Sequence, residues 1–304
     1  MGQRIGRLFI LTALLLVPSL GEAATRTLNC STETISAFLP RLRSGDTLLV
    51  SGTCNENVVF SAARNNITLD GQGSATINGA DPTANAIIIR GRNITIKGFN
   101  ITGGSRGILV NRGGEATIDG NNIHTTGSDG VQVAQASSAR IINNNIHDNP
   151  EDGIIVLENA TAHIGILTGS DTVASPNTIQ GNGGNGINVL RTASVRVVGN
   201  TISGNTGNGI NLGDNSHGDI ANNVINSNTG HGVNLFRGAD VRLGRDTGTT
   251  IFELPNSTSS NNTGNGIRCR LGGSADGRLG TLNGTAGTND IAGGGTNCID
   301  SLLP

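Results

Sequence analysis

From residue 107 onward the chain repeatedly sets a glycine before an aliphatic–x–aliphatic triplet, at Gly107, Gly130, Gly153, Gly186, Gly209, Gly232 and Gly266. The intervals are 23, 23, 33, 23, 23 and 34 residues. A second aliphatic column keeps the same register at Ile118, Ile141, Ile164, Val197, Ile220 and Leu243, and a third at Ile123, Ile146, Ile179, Ile202 and Ile225. The two long intervals are one event used twice. ILTGSDTVAS enters after Gly165 and RDTGTTIFEL after Gly244, each followed by Pro-Asn.

Each 23-residue unit thus carries three short runs in which alternate side chains point to opposite faces, the pattern of a β-strand. No run is long enough for a crossover helix. Strands therefore pair with their equivalents one period later, which predicts an all-β parallel β-helix of about nine or ten coils, with the aliphatic columns inside. Asn121, Asn144, Asn177, Asn200 and Asn223 share one register at the bend between the second and third strands. Asparagine tolerates the left-handed conformation there and bonds the backbone locally. Stacked at ~4.8 Å, such amides can also bond one another as a ladder. Asn149, Asn182, Asn205 and Asn228 form a second column in the loop before the first strand.

On these residues the chain resembles the right-handed parallel β-helix proteins of the pectate-lyase-like superfamily, over roughly 55–300. NITLDGQGSATI (66–77) and NITIKGFNITGG (93–104) fit its earlier coils, and residues 32–54 resemble the amphipathic helix and strand that cap such folds. The predicted organisation is a signal peptide over 1–23, an N-terminal cap over 24–57 and a β-helix over 58–304 with an irregular C-terminal closure. Arg4 and Arg7, the apolar run at 8–20 and small residues up to Ala23 make the signal. The apolar run is short for a membrane span, so the mature chain is expected to be secreted or periplasmic.

Export makes disulfides the expected state of Cys30, Cys54, Cys269 and Cys298. Four cysteines allow three connectivities, and pairing by end of the chain is expected. Without Arg4, Arg7 and Glu22 the chain carries 18 basic and 21 acidic side chains, a net charge near −3. That balance gives no footprint for a nucleic acid. There are 47 glycines, no Trp and no Tyr, so stacking platforms for neutral sugar rings are scarce.

The superfamily resemblance places any active site on the first-strand face and its flanking loops. Just before the first strand stand Asp129, Asp152, Asn185, Asn208, His231 and Asn265. SDGV (128–131), EDGI (151–154) and GHGV (230–233) invite comparison with polygalacturonases, in which successive coils supply an Asp, an Asp pair and a His. Here His231 lies three coils beyond Asp152, so the comparison carries over to Asp129, Glu151 and Asp152 and fails for His231, which reads as one more turn residue. His124 and His147, with Asp148 beside the second, stand at the start of the preceding loop. They are candidates for an acid–base or metal cluster, although no known metal motif is present.

Past the first strand run Arg112, Gln135, Glu158, Arg191, Asp214 and Arg237, a mixed-charge column that reads as an ion-pair ladder. Gln132, Asn188 and Asn211 lie on the outward row of the strand, suited to hydrogen-bonding a sugar. The expected function is an exported scaffold that binds a surface glycan or protein without catalysis. Its binding residues would be Gln132, Glu158, Asn188, Arg191, Asn211, Asp214 and Arg237. The alternative is a hydrolase, lyase or epimerase acting on an acidic polysaccharide, with Asp129, Asp152, Glu151 and His147 as catalytic residues. No cofactor is expected for the scaffold, and the lyase form would take Ca2+.

Overall fold

The computed structural model describes residues 23–244, 253–287, 289–290 and 299–303. Residues 1–22 of the predicted leader over 1–23 lie outside them, as do residues 245–252 of the second insertion and Cys298. Ten short strands, from Val58–Phe60 to Asn289–Asp290, stack into one parallel sheet. Their register is that of the glycine alignment. Val131 pairs with Ile154, Ile154 with Ile187 across the first insertion, and Val233 with Ile267 across the second.

The second and third runs of each coil build an eighteen-stranded parallel sheet, pairing Ile118 with Ile141 and Ile123 with Ile146. They form one sheet because the two runs merge in the early coils. Ile67–Gly79 and Ile94–Gly103 pass through the bend as continuous strands. The architecture is the predicted parallel β-helix.

Ile108, Val131, Ile154, Ile187, Ile210, Val233 and Ile267 stack inside, each 0% exposed, and burial of each stabilises by roughly 1.5–3 kcal/mol before ordering entropy. The aligned glycines before them serve close packing and are not left-handed. A Cβ on Gly153 would stand 2.6 Å from Ile179 Cγ2 and 2.8 Å from the Gly186 carbonyl oxygen of the next coil.

Two fully buried asparagine ladders flank the third run. In the first, each Nδ2 donates to the Oδ1 of the next coil, from Asn121 to Asn144, Asn177, Asn200, Asn223 and Asn256, at 2.8–3.1 Å. The second runs from Asn149 through Asn182, Asn205 and Asn228 to Asn262 at 2.8–3.0 Å. The ladder asparagines do not themselves take up the left-handed conformation. That belongs to the residue before them, at Gly120, Asn143, Gly199 and Asn222. The ladder side chain is thereby aimed inward, where it bonds strand carbonyls such as Ile164 O from Asn200 at 2.9 Å.

Among the described residues, the N-terminal end holds a single short helix, Ile35–Phe38, running on as a 3-10 turn at Leu39–Arg41. Thr34 caps it, and the Glu56 carboxylate accepts the Ile35 and Ser36 N–H groups at 2.6 and 2.9 Å, satisfying donors a helix start leaves open. Cys30 and Cys54 are disulfide-bonded with Cα atoms 5.0 Å apart. Cys269 is not a free thiol, while its expected partner Cys298 lies outside the described residues. No helix among the described residues is long and apolar enough to cross a membrane.

Candidate functional site

The turn column beside the ten-stranded sheet follows one bonding rule. Each side chain accepts the backbone N–H of the residue one coil on. Asp129 Oδ1 accepts from Asp152 at 3.2 Å, Asp152 Oδ1 from Asn185 at 2.7 Å and Asn185 Oδ1 from Asn208 at 2.9 Å. Asn208 Oδ1 then accepts from His231 at 2.8 Å, and His231 Nδ1 from Asn265 at 2.9 Å. His231 is therefore a rung in which an imidazole nitrogen replaces an amide oxygen. Its other ring nitrogen lies 3.0 Å from Arg268 Nη1.

Arg106 heads this column and was absent from the sequence-derived set. It stands directly before Gly107, the first glycine of the repeat, and that position was the signal that could have revealed it. Its Nε bonds Asp129 Oδ2 at 3.0 Å. Asp129 is 3% exposed. Burial raises its carboxyl above the ordinary range against the pull of Arg106, and the neighbouring Asp152 charge adds to the rise.

Asp152 is 8% exposed and ends two amide chains. Its Oδ1 also takes Asn185 Nδ2 at 2.9 Å. Its Oδ2 takes Asn188 Nδ2 at 2.7 Å. Asn188 in turn accepts from Asn211 at 2.9 Å, and Asn211 from Asn234 at 2.7 Å. These outward amides donate toward the N-terminal end, opposite to the buried ladders. Asn188 and Asn211 are 9% and 8% exposed, the floor of a strip continued by the half-exposed Gln132 and Ile155.

The mixed-charge column borders this strip. Glu158, Arg191, Asp214 and Arg237 are all left-handed, and each is followed by a second left-handed residue, the backbone of a tight primed turn. Asp214 does not sit shared between two arginines: it pairs with Arg237 at 3.3 Å, while Arg191 reaches Glu158 at 2.9 Å. Phe60 and Phe99 are core residues, and Phe236 is half-buried on the outer face, its ring filling the space above Gly213.

Glu151 is exposed. His147 stacks on His124 with ring centroids 5.0 Å apart. Its ring nitrogens meet Asp148 Oδ2 at 2.8 Å and Asn122 Oδ1 at 3.0 Å, so the structure joins it to those residues and brings neither nitrogen to Asp129 or Asp152. His124 bonds Thr125 and Asn100 instead, and burial together with the His147 charge lowers its pKa. No group of three or more His, Cys, Asp or Glu side chains among the described residues is arranged to hold a metal ion.

The fold has well-defined relatives. A pectate lyase, Pel9A, superposes with a TM-score of 0.60 at 12% identity over 91% of this chain and 80% of that one. The A-module of the Azotobacter vinelandii mannuronan C-5 epimerase AlgE6 gives 0.54 at 14% identity, over 93% and 91%. The enzymatically active domain of bacteriophage CBA120 tailspike protein 2 gives 0.54 at 14% identity, over 84% of this chain and 42% of that one. At such identities the likeness is one of fold. No curated protein sequence matches the chain. The profile of the right handed beta helix region matches residues 85–164 and 156–278, and with that coverage the chain belongs to the right-handed β-helix family.

Proposed function

We propose that this protein is a non-catalytic scaffold that binds an extracellular or cell-surface glycan along the outer face of its ten-stranded sheet. The observation that carries this reading is the engagement of Asp152. Both of its oxygens are committed to Asn185 and Asn188, as those of Asp129 are to Arg106 and the Asp152 backbone. A general acid or base must reach a substrate proton at hydrogen-bond distance, and these carboxylates are nearly buried and bonded within their own turns. The strip, with the ladder amides Asn188 and Asn211 and the half-exposed Gln132 along the row and Arg191 and Arg237 at its border, offers donors and acceptors at the strand spacing. Rigid polar arrays lose little entropy when a polyhydroxylated chain binds. The carbohydrate-related names among the fold relatives, a pectate lyase and a mannuronan epimerase, support an acidic polysaccharide as the ligand.

A second reading, a carbohydrate-active enzyme, is favoured by one observation: the raised pKa of the buried Asp129, since perturbed carboxyls cluster at functional sites. A panel of acidic and neutral polysaccharides separates the two. The scaffold predicts retention of a polysaccharide with no new reducing ends, no unsaturated products and no change of uronate configuration, with or without Ca2+. Turnover that disappears in both Asp129→Asn and Asp152→Asn would establish the enzyme instead.

A further inference from the structure

The first insertion, residues 166–175, folds back over the outer face of the large sheet. Ile166 and Val198, both 0% exposed, make a small apolar cluster separate from the main core. The Asp171 carboxylate accepts the Leu167 and Thr168 N–H groups at 2.7 and 3.0 Å and closes the loop on itself. Gly169 rests against Arg196, whose Nη1 lies 2.8 Å from where a Cβ on that glycine would stand.

Beneath this loop lies an unusual row. Arg140, His163 and Arg196 are strand neighbours in successive coils, so their backbones are ~4.8 Å apart. His163 bonds the Leu167 backbone through one ring nitrogen. Its Nδ1 is fully buried and has no hydrogen-bond partner. A proton on Nδ1 would be a buried donor without an acceptor, set between two guanidinium groups. The groups facing the ring are Arg140, which pairs with Glu115, Arg196, which pairs with Asp219, and Asp171 from the loop itself. Asp171 favours the protonated ring, and the two arginines oppose it. Burial is the largest influence, and the net effect is a pKa below the ordinary histidine value of 6.5.

We propose that the 166–175 loop is an acid-released latch, held shut by neutral His163 and opened when that ring is protonated. The sign follows from linkage. The open loop lets His163 take a proton near its ordinary value while the closed loop resists it. Closure is therefore unaffected above pH 6.5 and weakens as pH falls below that value. Opening leaves Arg140, protonated His163 and Arg196 as three stacked cations on the sheet surface. This device is independent of the glycan-binding strip, which lies on the other sheet.

Hydrogen exchange of the full chain, read by mass spectrometry from about pH 7.5 to about pH 5 and corrected for intrinsic rates, tests the latch. The expected result is a loss of protection confined to 166–175 that grows as pH falls below 6.5, with the Asn200–Asn205 segment still protected. His163→Gln, which keeps a donor for Leu167 but cannot titrate, should abolish the pH dependence. Should that variant lose protection throughout, His163→Phe makes the same comparison. Constant loop protection across the range, an equal pH dependence in a folded non-titrating variant, or loss of protection spreading through the ladders would each overturn the proposal.

Discussion

Asn188 Nδ2 donates to Asp152 Oδ2 at 2.7 Å, so a carboxylate in one coil terminates a chain of amides that begins three coils away at Asn234. A residue that resembles a catalytic acid in the linear sequence is thus the acceptor on which two surface ladders converge.

Substitution at Asp152 separates these roles. Asp152→Ala strands the Asn185 backbone and the Asn185 and Asn188 amides, and is expected to cost about 2–4 kcal/mol in urea unfolding. Asp152→Asn keeps one acceptor oxygen, loses only about 1 kcal/mol and retains glycan binding.

The buried ladders should be less forgiving. Asn200 is 0% exposed, donates to Asn223 and Ile164, and accepts from Asn177. Asn200→Ala is expected to destabilise by about 2–4 kcal/mol through unsatisfied buried partners. The half-exposed Asn145→Ala, which breaks only its bond to Asn122, should cost under about 1 kcal/mol. Chemical denaturation of the two variants side by side checks the contrast.

Glycine at the head of each triplet is required for space. Gly153→Ala forces a methyl against Ile179 and the Gly186 carbonyl, which is backbone and cannot swing aside. A loss of about 1–3 kcal/mol is expected from overpacking. At Gly113, where a Cβ meets nothing within 4 Å but φ is +74°, alanine should instead cost about 1 kcal/mol of backbone strain. Thermal unfolding of both variants distinguishes crowding from conformation.

A charge cluster on the large sheet sets an alkaline limit. Asp219, buried at 5% exposure, receives Arg242 at 2.8 Å and His217 at 3.3 Å, and His217 Nδ1 meets Asp240 at 2.6 Å. The bond to Asp219, aided by Asp240, pushes His217 up to about 9 from 6.5. Burial works to raise the Asp219 carboxyl, but His217 and Arg242 outweigh it and hold it below its ordinary value. Because the folded pKa of His217 is raised, its stabilisation is fully present below pH 6.5 and fades as pH climbs toward 9. His217→Gln should remove that part of the pH dependence of the melting temperature.

The solenoid was legible because packing against an identical neighbour forces a strict repeat. The glycine column and three aliphatic columns specify register pair by pair, down to Ile154 opposite Ile187 across ten extra residues. The Asn121 ladder was legible for the same reason. The surface chemistry was less so. Whether Asp152 faces ligand or ends a ladder depends on Asn185 and Asn188, which lie 33 and 36 residues away and are brought close only by the coil. His147 likewise finds Asn122 and its sequence neighbour Asp148, and not the acidic pair with which it had been grouped. Arg191 and Asp214 occupy neighbouring rungs but choose different partners, because side-chain direction at a left-handed turn is not written in spacing.

The unbroken register of Ile187 with Ile210 makes the molecule modular in length. Excising residues 187–209 would join Gly186 to Ile210, set Asn223 above Asn177 and Asn228 above Asn182, and shorten the rod by ~4.8 Å. The molecule can therefore change its reach in whole coils, like a ruler cut at its marks, while every remaining ladder stays continuous.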